Sequence, residues 1–271
     1  MKRGSTHASE GDATRPQAIP THTDYSTATR PEAISLNGGQ SVVLIDHIAP
    51  LTVLEAEANE EELRSVEGIS SHSRRAERLA WRILLRKAAE RGAGVLVGAE
   101  KATERGTGVL VGADKAAEQT AEKGAEKDTI LIKYTPQGAP VLARGIVIGD
   151  SHYTHISVSH CRDKVAVMLS LRPCGIDIEQ LARDFGRVST RYITPDERAL
   201  CRSEEFEAIA WCAKEALYKL AQIEGLDFRR DIVIEAIDPA AGTIVGRAGE
   251  LQSVTMQILR TDKEHVAVAT L

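Results

Sequence analysis

Residues 205–223 read EFEAIAWCAKEALYKLAQI, with Phe206, Ile209, Ala210, Ala213, Leu217 and Leu220 recurring at helical spacing. The helix they predict has one apolar stripe, which must be buried against another element. Gly225 follows as a natural stop. Strand candidates at 231–237, 251–259 and 265–270 finish the chain. Upstream, 155–159 and 165–169 read as strands around a turn at 159–164, and 176–179 alternates apolar and acidic residues. Thr194-Pro195-Asp196-Glu197 is a capping box with proline at the first helical position, so a further helix starts there. Helices packed on antiparallel strands make the fold class α+β.

The same pattern extends towards the N-terminus. Residues 42–45 form a short apolar strand candidate. A helix is predicted over 73–89, where Ala76, Leu79, Ala80, Ile83 and Leu84 share a face and arginines occupy much of the rest. Two short apolar runs, 130–132 and 141–142, flank a Pro-Gln-Gly-Ala-Pro turn.

Two tandem duplications interrupt the ordered pattern. Residues 13–19 return as 28–34, within a Thr/Ser/Pro/Gly/Ala-rich stretch that has too few large apolar residues to offset the entropy of ordering. Residues 90–99 nearly repeat as 104–113, and two copies are too few for a solenoid. The expected organisation is a disordered leader at 1–40, an N-terminal lobe at 41–150 with a repetitive insertion at about 90–127, and a C-terminal lobe at 151–271.

Composition bounds the function. The chain has 271 residues and a formal net charge of -5, so charge alone does not recruit nucleic acid. Cys161, Cys174, Cys201 and Cys212 form no C-x-x-C pair, which fits reduced thiols in a cytoplasmic protein. No apolar run approaches the roughly 20 residues of a membrane span.

Three local features can carry chemistry. Asp177 and Glu179 project together from one strand face, beside isoleucines that point the other way. Such a pair is either solvated or neutralised by a cation. Trp211, Glu215 and Lys219 lie one turn apart in succession on the helix, where a Glu-Lys pair is ordinarily a surface salt bridge. Ser159 and His160 place a hydroxyl and an imidazole at a strand end, where the plain reading is a turn histidine bonded to backbone. The adjacent Cys161 does not make a nucleophile pair with His160, because sequence neighbours at a strand end point apart. Together, Asp177, Glu179 and Glu215 offer an open set of oxygen ligands of the kind magnesium prefers. His160, Lys214 and Lys219 are then candidates to hold phosphates.

Ser157-Val158-Ser159-His160, 175–179 (GIDIE) and 211–219 (WCAKEALYK) resemble, in order and spacing, three signature motifs of the phosphopantetheinyl transferase superfamily. The position of the Asp177 motif, behind a full lobe's worth of chain, resembles the longer class of that family. The resemblance implies two similar lobes forming a pseudo-dimer within one monomeric chain, each a helix on a small antiparallel sheet. It implies a holo-[acyl-carrier-protein] synthase type of enzyme. Such an enzyme moves 4'-phosphopantetheine from coenzyme A to a serine of an apo acyl or peptidyl carrier protein, using Mg2+. The carriers of that class serve fatty-acid, polyketide or nonribosomal-peptide synthesis.

By the same resemblance Asp177, Glu179 and Glu215 surround the metal, and Glu215, Lys219 and His160 are catalytic. It places His160 and Lys219 on the coenzyme A phosphates, joined by Arg82 and, as a weaker match, Arg75; Ser159 and Lys214 are further candidates for coenzyme A binding. The chain departs from the family pattern at Gly138-Ala139-Pro140, where the family has Gly-Lys-Pro, with Lys133 as a candidate replacement. Two other readings remain open: a catalytically silent homologue that binds coenzyme A or a carrier, and an unrelated magnesium phosphohydrolase. Arg183, Arg187 and Arg191 recur every four residues, as do Arg198 and Arg202. If helical, each group shares one face that suits an acidic carrier.

Overall fold

The computed structural model describes residues 31–91, 97–98 and 130–271. The expected leader up to residue 30 and nearly all of the expected insertion at 90–127 lie outside these residues.

The chain enters on β1 (Glu32–Leu36) and β2 (Ser41–His47), an antiparallel pair. Helices α1 (Leu51–Glu57) and α2 (Glu60–Arg64) lead to the long α3 (His72–Glu90), and β3 (Val97–Gly98) runs parallel to β1. Two ribbons follow, β4 (Ile132–Tyr134) with β5 (Pro140–Leu142) and β6 (Ile146–Ile148) with β7 (Ser151–Tyr153). β8 (His155–His160) and β9 (Lys164–Ser170) then complete a five-stranded sheet in the order β3-β1-β2-β9-β8. The rest of the chain comprises β10 (Ile176–Gln180), α4 (Pro195–Leu200), α5 (Phe206–Ala221), β11 (Ile232–Asp238), β12 (Thr243–Ala248), β13 (Leu251–Arg260) and β14 (His265–Thr270). Its strands form a second, antiparallel sheet in the order β10-β14-β13-β12-β11. The architecture is α+β.

Three cores hold these layers together. Val42, Leu44, Val165, Val167 and Leu169 turn one face of the first sheet to Leu79, Ile83 and Leu84 of α3. On the second sheet Ile232, Ile244, Met256, Val266 and Val268 meet Ile209, Ala213 and Leu217 of α5. The alternate residues of the central strands, among them Val43, Ile45, Ala166, Met168, Ile176, Ile178, Ala267 and Ala269, form a third core between the sheets. Strands β9 and β14 are buried along their whole length because both of their faces are covered.

Where the sheets meet, strand β8 is joined to β10 through side chains. Ser157 Oγ accepts from Ile176 N at 3.1 Å, and Ser159 Oγ accepts from Ile178 N at 3.3 Å. Both serines are buried, so each hydroxyl satisfies a backbone donor that water does not reach. Replacing Ser157 by Ala strands the Ile176 N–H and is expected to cost about 1–3 kcal/mol, read as a lower urea midpoint at an unchanged slope.

Several sequence expectations change here. Strand β1 lies inside the segment expected to be a leader, and it is ordered because it pairs along its length with β2. Strands β8 and β9, expected in the C-terminal lobe, belong to the first sheet, so the chain crosses between sheets at 171–175. Helix α5 ends at Gln222, which takes the left-handed conformation at φ 52°, three residues before Gly225. Residues 183–188 are irregular and only Ser189–Arg191 makes a 3-10 turn, so Arg183, Arg187 and Arg191 do not form a helical face. Arg202 likewise lies beyond the end of α4.

Candidate active site

The alternation of β10 turns Asp177 away from Ile176 and Ile178, towards α5. Gly175 makes the close approach of this strand possible: a Cβ there would sit 2.0 Å from the Ala216 carbonyl oxygen. The small, fully buried Ala213 and Ala216 complete the contact from the helix side. Lys219, one turn beyond Glu215, therefore reaches the strand. Its ammonium donates to Asp177 Oδ1 and to the Ile176 carbonyl, both at 2.8 Å.

Asp177 is held from the other side by the Ser159 hydroxyl, which donates to the same Oδ1 at 2.6 Å. Its second oxygen, Oδ2, is buried and has no hydrogen-bond partner. Glu179 and Glu215 stand close by, and with Val158, Ser159, His160, Asp177, Trp211 and Lys219 they line a cleft of about 300 Å³. The residues of all three sequence motifs thus converge on one cavity.

The electrostatics of the cleft favour a cation. Burial, and then the negative charge of Asp177, push the Glu179 carboxyl up to about 7, against the opposing pull of Arg183 and a hydrogen bond with Trp211. The Glu215 carboxyl is raised by the same two causes. An orphaned carboxylate oxygen beside two carboxyls reluctant to ionise is a site short of positive charge. A hard divalent ion fits this donor set. The three carboxylates are not drawn together as a closed cage: among the described residues, the trio whose ligand atoms lie within 4.8 Å of one another is Cys161, Asp163 and His265. An open arrangement suits magnesium, which keeps waters and takes substrate phosphate oxygens.

A pH dependence follows. A carboxyl whose folded pKa lies above its unfolded value stabilises the fold at low pH and loses that contribution as pH rises through the folded value. For Glu179 the window runs from about 4.5 to about 7. The metal-free protein is expected to lose thermal stability across this window. Magnesium should restore it above pH 7, and Glu179→Gln should flatten the profile. A flat wild-type melting profile, recorded metal-free between pH 5 and 8, would contradict the assignment.

Residues 173–269 match the family model of the 4'-phosphopantetheinyl transferase superfamily. No curated protein matches the chain. The matched stretch spans the second sheet and α5, and so carries Asp177, Glu179, Glu215 and Lys219. The resemblance read from the sequence holds over this stretch, and the superfamily is one of phosphopantetheinyl transferases. Ser159 and His160 on β8, and Arg75 and Arg82 on α3, lie outside it.

Not every residue singled out by the sequence reaches the cleft. Lys214 is fully buried, and its ammonium is spent on Glu197 Oε1 at 2.6 Å, the Phe228 carbonyl at 2.8 Å and the Ile232 carbonyl at 2.7 Å. An ammonium has three donors, so Lys214 has none left for a phosphate; its role is to tie α5 to α4 and β11. Arg82 is buried, stacks over the Trp81 ring with its guanidinium carbon 5.0 Å from the centroid, and faces Tyr134 Oη at 3.4 Å. Arg75 is paired with Glu55. Neither arginine lines the cleft, and neither does Lys133, which is exposed on β4.

Helix α3 meets the site instead through Glu77, whose Oε2 lies 3.5 Å from His160 Nε2. Arg183, read from the sequence as a docking residue, contacts Glu179. Nothing in the sequence flagged Glu77, since its partner is more than eighty positions away. Cys161 is no nucleophile, because burial pushes its thiol up to about 11.

Proposed function

We propose that this chain transfers 4'-phosphopantetheine from coenzyme A to a serine hydroxyl of an apo acyl or peptidyl carrier protein, with magnesium held by Asp177, Glu179 and Glu215. The observation that carries the proposal is the meeting of Ser159, His160, Asp177, Glu179, Glu215 and Lys219 in one cleft with an unsatisfied, buried Asp177 oxygen. Bound there, magnesium would supply positive charge for the diphosphate of coenzyme A.

The protein groups divide the remaining work. Lys219 uses two of its three donors on Asp177 and Ile176, leaving one N–H for a phosphate oxygen. His160 is exposed and lines the cleft with Glu77 3.5 Å from its Nε2, and from there it meets a phosphate oxygen. The carrier serine attacks the phosphorus that bears pantetheine, and adenosine 3',5'-bisphosphate leaves. Glu215 takes the serine proton directly or through water. Ser159 acts on Asp177, fixing the rotamer that keeps Oδ2 aimed inward. Two five-stranded sheets, each backed by one long helix, support the two-lobed, pseudo-dimeric reading, within which the chain acts as a monomer.

Release of adenosine bisphosphate tests the proposal. It is expected only when coenzyme A, magnesium and an apo carrier are all present, and should be lost when the carrier serine is replaced by alanine. Release without a carrier would favour a phosphohydrolase. Coenzyme A binding without release would favour a silent homologue.

A further inference from the structure

A second cluster of ligating side chains lies between the sheets, outside the proposed active site. The β8–β9 turn of the first sheet supplies Cys161 and Asp163, and the start of β14 in the second supplies His265. The histidine is 1% exposed. Asp163 Oδ1 lies 3.0 Å from His265 Nε2 and 3.6 Å from Cys161 Sγ. A tetrahedral ion at ordinary zinc distances would set these N···O and S···O edges at about 3.4 Å and about 3.6 Å. These two edges are therefore within about half an ångström of ligating geometry, and the third, between Cys161 and His265, is under 4.8 Å.

The surroundings complete the pattern. His265 Nδ1 faces Asp262, with its two carboxylate oxygens at 2.9 and 3.0 Å. A carboxylate on Nδ1 directs Nε2 to serve as the ligand and fixes the ring. Asp262 is itself held by Lys164 Nζ at 2.7 Å. Asp163 Oδ1 accepts from Gln180 Nε2 at 2.7 Å, an outer hydrogen bond of the kind that orients a ligating carboxylate. Cys161 and Gln180 border a groove of about 490 Å³, lined also by His160 and Glu179, which gives an ion a route to the Cys161 side of the cluster.

We infer that Cys161, Asp163 and His265 form a site for a thiolate-binding divalent transition-metal ion, zinc by preference, which pins the β8–β9 turn to β14. On binding, the Cys161 thiol loses its proton to solvent and the thiolate ligates. A Cys/Asp/His set selects a softer ion than the all-carboxylate cleft, so the two sites would not compete for one metal. Pinning this turn would steady His160, the residue preceding Cys161.

Cobalt titration of the full chain, stripped of metal and kept reduced, tests this. One equivalent of Co2+ should give a thiolate-to-cobalt charge-transfer band and the intense visible bands of a four-coordinate ion. Zn2+ should abolish both. Cys161→Ser should remove the charge-transfer band, and Asp262→Asn should weaken cobalt affinity about 10- to 100-fold. Cys201→Ser and Asp177→Ala should leave the spectrum unchanged. Zn2+ should raise the melting temperature of the wild type but not of Cys161→Ser. No spectrum at one equivalent would mean a hydrogen-bonded clamp only. A thiolate band that survives Cys161→Ser would place the metal elsewhere. Either result overturns the inference, and neither depends on transferase activity.

Discussion

Asp177→Ala is expected to remove phosphopantetheinyl transfer, lowering the rate by at least about 10²–10³-fold at saturating magnesium. The substitution deletes the buried, unsatisfied Oδ2 and the acceptor shared by Ser159 and Lys219. A loss of stability of about 1–3 kcal/mol should accompany it, since buried donors lose their partner. Lys219 is part-exposed and keeps the Ile176 carbonyl, so the fold should survive. Asp177→Asn separates the two effects: it keeps a hydrogen-bond acceptor and removes the charge, so it should be more stable than Ala and equally inactive. Transfer rates at graded magnesium, with melting curves on the same samples, check this. Near-native turnover by either variant would refute the site.

Lys214→Ala should be the most destabilising substitution among the motif residues, at about 3–5 kcal/mol, and should act through folding. Its ammonium and the Glu197 carboxylate are both buried from solvent. Glu197 also accepts from Ile234 N at 2.8 Å and closes the α4 capping box through Thr194 N at 2.8 Å. Removing the lysine leaves that carboxylate charged, buried and short of its counter-ion. Two carbonyls, of Phe228 and Ile232, lose their donor as well. Against a typical domain stability of about 5–15 kcal/mol, this is a large fraction. The double substitution Lys214→Met with Glu197→Gln should recover part of the loss, because it leaves no unpaired charge. A denaturant series comparing the single and double variants measures the coupling. Additive effects would mean that the pair is not the reason for the motif lysine.

Much of this was legible in the sequence where a pattern is local. The stripe of α5, the capping box at Thr194 and the acidic alternation of β10 appear where periodicity and caps place them. Residues of all three motifs also meet in one cleft, helped by the single faces shared by Asp177 with Glu179 and by Trp211, Glu215 and Lys219. Strand β12 went unread because Gly246 breaks its apolar run. That glycine is required where β12 crosses α5, since a Cβ would lie 2.8 Å from the Val233 carbonyl oxygen and 2.9 Å from Leu217. Lys214 looked like a phosphate ligand because its burial depends on Glu197, Phe228 and Ile232, and no spacing within α5 reveals those neighbours. The return of β8 and β9 to the first sheet is likewise a long-range pairing, with β9 on β2 from Ser41↔Ser170 to His47↔Lys164. Local propensity carries no information about which distant strand a segment will join.

The mass of a carrier protein tests the central claim most directly. Purified full-length protein is incubated with coenzyme A, magnesium and an apo acyl carrier protein, and the carrier is weighed intact. The account predicts that the carrier gains one phosphopantetheine group at its serine, that chelation of magnesium prevents the gain, and that Asp177→Asn does not catalyse it. A panel of apo carriers from fatty-acid, polyketide and peptide synthesis, all unchanged in mass while coenzyme A is bound or hydrolysed, would contradict it.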